Sequence, residues 1–246
     1  MKKSIFVSMV ALSAMAFSSC EKPESAADKG TSGGDSATEE VGDGWVELFN
    51  GENLDGWTAS KENPESFAIK DGILVVKGAR SHLFYTGDVN GGNFKDFEIK
   101  VRAKTFPSAN GGVYFHTAYQ DEGWPSQGYE CQVNSTHKDP KKTGSLYGVK
   151  NILVLAEGQK PPKGGEHEER DAAPSTDGEW FDYHIAVKGN HIVIKVNGET
   201  TVDFTEPEGG PDTTFGGRRL SEGTFGIQAH DPESEVHYER FAVKVL

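Results

Sequence analysis

A chain of 246 residues with 38 acidic and 25 basic side chains carries a formal charge of −13. Such an acidic balance repels nucleic acid and anionic membrane surfaces and leaves neutral ligands such as sugars open. The length suits one large all-β domain beside its terminal segments.

Met1-Lys2-Lys3 is a basic start, and Ile5 to Phe17 is an apolar run too short to span a bilayer as a helix. Residues 1–19 therefore read as a signal peptide. The run ends in Phe17-Ser18-Ser19-Cys20, and small residues followed by Cys resemble a bacterial lipobox. Cys20 is the expected lipidation site, which ties the protein to a membrane of the cell envelope. The alternative is an ordinary secretory signal with an incidental Cys. Removal of Lys2 and Lys3 leaves 23 basic side chains against 38 acidic ones, a charge of −15. Residues 20–43 are rich in Glu, Ser, Ala, Gly and Asp and lack the apolar content to fold. They read as a flexible acidic tether of about 25 Å root-mean-square span.

From Trp45 to Leu246, apolar residues alternate with period two. Phe67-Ala68-Ile69 leads through Asp71-Gly72, a hairpin signal, into Ile73-Leu74-Val75-Val76. Phe97, Ile99, Val101 and Ala103 mark a long strand whose other face is Glu98, Lys100, Arg102 and Lys104. Trp180, Tyr183, Ile185 and Val187 form another, followed by His191 to Val196 and, after Asn197-Gly198, Thr200 to Phe204. Gly223 to Ala229 and Val236 to Val245 are the last strands. No amphipathic pattern lasts the length a helix needs. The spacing predicts an antiparallel two-sheet β-sandwich over residues 45–246. The segments 119–128 and 135–180 break the rhythm and read as long loops, functional or disordered.

Chemistry concentrates on three strands: Gly112-Val113-Tyr114-Phe115-His116, Gly128 to Asn134, and Gly226 to His230. Strand alternation puts Glu130, Gln132 and Asn134 on one face. Tyr114 and His116 share a face, as do Gln228 and His230. If these faces meet, a carboxylate, two imidazoles, amides and a phenol converge. Glu130, His230 and His116 are the candidate catalytic residues. Gln132, Gln228, Tyr114 and Asn134 are candidate binding residues, joined by Tyr147, Trp124 and His137 from the long loops. His82, His184, His191 and His237 read as surface or edge residues. Glu166-His167-Glu168 reads first as a solvated charge run, with metal binding the lesser alternative. With Cys20 acylated, Cys131 is left without a disulfide partner and reads as a small core hydrophobe.

The opening Trp45-Val46-Glu47-Leu48-Phe49-Asn50-Gly51 resembles the start of the 3-keto-disaccharide hydrolase (3-keto-glucoside lyase/hydratase) domain family. Asp71-Gly72-Ile73-Leu74, Phe94 to Glu98, Asn110 to His116, Gly128 to Val133, Thr143 to Gly148 and Gly226 to Asp231 follow in the family's order. The resemblance covers essentially all of 45–246. It implies a concanavalin A-like lectin/glucanase jelly roll with the site on a concave sheet, and action on sugars oxidised to a ketone at C3. The strand at Glu130 carries Gln132 where laminarinase-like enzymes of this fold carry a second carboxylate. The paired acids of ordinary glycoside hydrolysis are therefore not evident.

A ketone at C3 acidifies the C2 proton, and the resulting enediolate expels the C1 oxygen. That chemistry needs a base, an acid and an oxyanion stabiliser. The base is either Glu130 or a histidine, and the sequence does not choose. A divalent metal is an open alternative for the stabiliser, and no nucleotide cofactor is expected. The competing functions are a non-catalytic carbohydrate-binding lipoprotein, stacking sugars on aromatic side chains, and a structural envelope protein. Expected partners are a sugar and, through Cys20, a membrane.

Overall fold

The computed structural model describes residues 44–246. The signal peptide, Cys20 and the tether expected in residues 1–43 lie outside the described residues.

The strands are β1 (Val46–Glu47), β2 (Trp57–Ala59), β3 (Phe67–Lys70), β4 (Ile73–Lys77) and β5 (Ser81–Tyr85). They continue as β6 (Phe97–Thr105), β7 (Gly111–Thr117), β8 (Tyr129–Val133), β9 (Lys150–Leu153) and β10 (Glu166–Glu169). The remainder are β11 (Trp180–Lys188), β12 (His191–Val196), β13 (Glu199–Thr205), β14 (Thr224–Ala229) and β15 (Glu235–Val245). Two antiparallel sheets form a jelly-roll sandwich. One runs β13-β12-β11-β6-β15-β4-β3, with β1 also on β15; the other runs β2-β5-β14-β7-β8.

The expected hairpins form where the turn residues permit. Asp71 and Gly72 adopt φ of 51° and 79°, and Asn197 and Gly198 adopt 50° and 82°. Two successive positive φ values match the twist of a two-residue hairpin. β6 alternates buried residues with exposed or half-buried charges, so one face packs and the other meets water.

Between the sheets, Phe97, Phe115, Phe225 and Phe241 pack with Val113, Tyr129, Cys131, Ile227 and Ala229. Phe94 stacks on Phe225 at 4.4 Å between ring centroids. Cys131 is buried in this core. Because side chains alternate, turning Val113, Cys131 and Ile227 inward turns Tyr114, Glu130, Gln132 and Gln228 to the opposite face of the five-stranded sheet. That sets the position of the site.

Part of the expected 135–180 loop is ordered into a short parallel pair, β9 with β10. The charged run 166–169 thus forms an edge strand. His167 is engaged by Asn151 Nδ2 at 3.2 Å and by the Pro162 carbonyl at 2.9 Å, which occupies both ring nitrogens.

Candidate active site on the five-stranded sheet

A cavity of about 340 Å³ opens on the outer face of β14, β7 and β8. Tyr114, Glu130, Gln132 and Gln228 line it from the strands, and His230 follows directly after β14. Trp124, Tyr147, Phe215 and Arg218 enter from loops.

Glu130 sits at the centre of a charged network. Its Oε2 accepts from Arg218 Nη2 at 3.0 Å and its Oε1 from Gln228 Nε2 at 3.1 Å. The Glu130 and Arg218 side chains are 7% and 8% exposed, so each is the other's charge compensation away from water. Gln228 Nε2 also donates to the Tyr114 hydroxyl at 2.8 Å. Burial, reinforced by the Glu130 carboxylate, pushes the Tyr114 phenol well above its ordinary range, so it stays protonated. Gly112 leaves the space that Glu130 occupies, since a Cβ there would lie 2.8 Å from Glu130 Oε1.

Arg218 comes from the Gly- and Pro-rich connection between β13 and β14, which crosses the rim. Gly128 N donates to the Gly217 carbonyl at 3.1 Å. Gly217 has φ of 78°, and a Cβ would fall 2.0 Å from the Ser126 carbonyl oxygen, so only glycine permits the approach. The Arg218 guanidinium then lies over the rings of Tyr114 and Phe215 at 5.7 and 5.8 Å.

His230 Nδ1 donates to Asp231 Oδ2 at 2.8 Å. Burial alone would raise Asp231, but hydrogen bonds from His230, Ser234 and the Glu233 amide outweigh it and hold the carboxyl below its ordinary value. A carboxylate can only accept, so Nδ1 carries a proton, and in the neutral ring Nε2 holds the lone pair. Trp124 packs on the His230 ring at 5.2 Å and is 45% exposed at the cavity mouth.

Across the floor, Tyr147 N donates to the Glu130 carbonyl at 2.8 Å, carrying its loop along the free edge of β8. The Tyr147 hydroxyl donates to Asp139 Oδ2 at 2.9 Å. Burial, with Asp139 and Glu130 nearby, pushes this phenol far up, and it too stays protonated.

Three expected site residues lie elsewhere. His116 shares strand parity with Tyr114, but it adopts φ of 54° at a register shift between β7 and β14. The bulge swings the ring to the Lys95 carbonyl at 2.9 Å and the Ser221 amide at 3.1 Å, against Phe97 and Phe115. Asn134 is spent on its own loop: Nδ2 donates to the Asp139 and Lys141 carbonyls, and Oδ1 accepts from the His137 amide. His137 stands behind His230 at 5.9 Å between ring centroids and does not line the cavity.

His82, expected at the surface, is fully buried on β5, edge-on to Tyr114 and beneath Trp124. Burial pushes its imidazole down to about 3, so it is neutral. Arg218, Phe215 and Asn110 also line the cavity and were not among the expected residues.

Among the described residues, no three His, Cys, Asp or Glu side chains gather into a group able to hold a metal ion. Both Glu130 oxygens are already engaged. A single carboxylate already paired with the Arg218 cation does not fit a divalent metal.

The model of the 3-keto-alpha-glucoside-1,2-lyase-like domain matches residues 44–244. The chain belongs to that family. A search of the curated proteins returns no match. Among solved structures, two proteins from Parabacteroides distasonis ATCC 8503, each named a "putative glycosyl hydrolase", are similar. One is 21% identical with a TM-score of 0.58, covering 82% of this chain and 94% of its own. The other is 20% identical with a TM-score of 0.57, covering 82% and 99%. The VIP36 exoplasmic/lumenal domain in its Ca2+/Man3GlcNAc-bound form is 10% identical with a TM-score of 0.51, covering 82% and 88%. At these identities the likeness shows the fold. Membership of the lyase-like family supports a carbohydrate-active role for the chain.

Proposed function

We propose that this cavity cleaves 3-keto-glycosides by removing the proton at C2, with His230 as the base. The observation that carries this is His230, held by Asp231, lining the cavity that also holds Glu130 and Arg218. The C2 proton passes to His230 Nε2, and its bonding pair forms a C2–C3 double bond with the negative charge on O3. As the C3 carbonyl re-forms, the C1–C2 double bond forms and the C1–O bond breaks. The departing oxygen takes a proton from the imidazolium or from water. Water adding across C1–C2 completes a net hydrolysis.

Arg218 and the protonated Tyr114 are the groups at hand for the charge on O3. Glu130 serves as the counter-ion that holds Arg218, because both its oxygens are already hydrogen-bonded. Product analysis with a 3-keto disaccharide and its unoxidised parent, side by side, tests the function. Cleavage of the 3-keto sugar alone supports elimination. Equal cleavage of both excludes it, and binding of either sugar without turnover leaves a carbohydrate-binding module.

Cys20 lipidation belongs to the same proposal, placing the domain on a tether at the cell envelope. Mass spectrometry of the native N-terminus decides it: an unmodified terminus elsewhere removes the anchor.

A further inference from the structure

The cavity has two kinds of wall. The strands supply a polar floor, while the loops supply aromatic rings at the mouth. Of the six large apolar side chains that stand exposed among the described residues, Trp124 and Phe215 line this cavity.

Trp124 is exposed and yet held. The Gly123 amide donates to Glu62 Oε2 at 2.9 Å, and Glu62 Oε1 accepts from Arg80 Nη2 at 2.6 Å. The Arg80 guanidinium in turn lies 5.2 Å from the centre of the Trp124 ring. Within the loop, Gln120 Nε2 donates to the Trp124 carbonyl at 2.9 Å, and Gln120 Oε1 accepts from the Ser126 amide at 3.1 Å. An exposed indole held in this way is a preformed platform, and a ligand that stacks on it pays little to order it. The amide side chain of the loop is spent on its own backbone, and Pro125, beside the indole on the cavity wall, has no N–H to offer. This wall presents a flat apolar face and few hydrogen bonds.

Its place relative to the reacting atoms rests on the proposed function. Trp124 packs on the His230 ring at 5.2 Å. With His230 at C2 and Arg218 at O3, the substituent on C1 is the part of the substrate that comes against the indole. That substituent is the leaving group. The acids of the cavity point to its chemistry. Glu130 is a carboxylate bonded to Arg218 and Gln228. The phenols of Tyr114 and Tyr147 are pushed far above their ordinary range by burial, which makes them poor proton donors. Among the side chains lining the cavity, that leaves the His230 imidazolium, formed at C2, to hand a proton on. A departing alcohol needs that proton as the C1–O bond breaks. A phenol, with a pKa of about 10, can leave as its phenolate without one.

We propose that the mouth is a leaving-group subsite for an aryl aglycone stacked on Trp124. The C2 proton passes to His230, the C1–O bond breaks with its electron pair on the phenolate oxygen, and the C1–C2 double bond forms on the 3-keto sugar. His230 then returns its proton to solvent.

Phenyl, cyclohexyl and methyl 3-keto-α-D-glucopyranosides and a 3-keto disaccharide are compared as substrates of the wild-type protein. The phenyl ketoside is expected to have a KM about tenfold or more below those of the methyl ketoside and the disaccharide, the worth of one aromatic pair. The cyclohexyl group fills similar space but departs as an alcohol, and its kcat is expected to be lower by about 10²-fold or more. Trp124→Leu should raise the phenyl KM roughly tenfold while the methyl KM moves by less than about twofold. An equal change for both overturns the proposal, as does a disaccharide KM at or below that of the phenyl ketoside, or equal kcat for phenyl and cyclohexyl. Turnover of the disaccharide without a phenyl advantage keeps the lyase reading and discards this inference. If no ketoside turns over, calorimetry with the phenyl and methyl ketosides decides. Tighter phenyl binding that Trp124→Leu removes keeps the subsite and discards the lyase reading; equal binding discards both.

Discussion

Replacing Glu130 by Gln keeps the shape of the side chain and removes its charge. Arg218 then remains 8% exposed with no carboxylate at 3.0 Å. An uncompensated buried charge costs about 3–5 kcal/mol. The Gly128 carbonyl at 3.3 Å and the two aromatic faces still receive the guanidinium, which places the loss near the lower end, about 3 kcal/mol. For a domain of this size that corresponds to a fall of roughly 6–12 °C in Tm. Arg218→Met should cost a similar amount, because it strands the carboxylate instead. The double variant Glu130→Gln, Arg218→Met buries no unpaired charge. It should be more stable than either single variant, with a coupling energy of about 2 kcal/mol or more. Urea unfolding followed by circular dichroism reads all four proteins, with the slope unchanged if only stability moves. A Glu130→Gln loss under about 1 kcal/mol, additive with Arg218→Met, would show that the pair is not a buried ion pair and would refute this reasoning. The double variant should fold and still lack activity, separating the charge's structural part from its part in catalysis.

His230→Ala should lower turnover by about 10²-fold or more. Asp231→Asn should lower it less and shift the pH profile, because the tautomer is no longer fixed by a carboxylate; His116→Ala should change turnover little in the fraction that folds, and a loss equal to that of His230→Ala would return His116 to the site. His82 gives a stability dependence with a definite sign. Its imidazole is pushed down to about 3 in the fold against about 6.5 unfolded, so only the unfolded chain gains its proton between those values. Stability should be unaffected above pH 6.5 and fall by about 1.4 kcal/mol per pH unit below it, or about 2 kcal/mol by pH 5, from this residue alone. His82→Phe should flatten that part of the curve, and an identical pH dependence in denaturant titrations would remove the assignment.

Strand alternation carried the fold and much of the cavity. Val113, Cys131 and Ile227 face the core, and period two then delivers Tyr114, Glu130, Gln132 and Gln228 to the other face without any tertiary information. The same rule failed at His116, where one positive φ at a bulge reverses the side chain; a bulge depends on the partner strand, which the local pattern does not contain. His82 was misread because Ser81–Tyr85 is buried along its whole length, and its cover, Trp124, lies some forty residues away. Arg218 was invisible for a different reason. Its segment, Glu206 to Glu222, has no hydrophobic period, and the close approach at Gly217 that aims it exists only once β8 and the 126–128 backbone are in place. The 166–169 strand escaped notice because an edge strand needs no apolar face.

The most direct measurement is solvent deuterium exchange at C2. Wild-type protein is incubated in D₂O with a 3-keto-α-glucoside, and recovered substrate and product are read by NMR and mass spectrometry against an enzyme-free control. Proton abstraction by His230 predicts enzyme-dependent deuterium at C2 that is lost in His230→Ala. Cleavage of the glycosidic bond with the C2 proton fully retained would contradict elimination and leave the cavity with a different reaction.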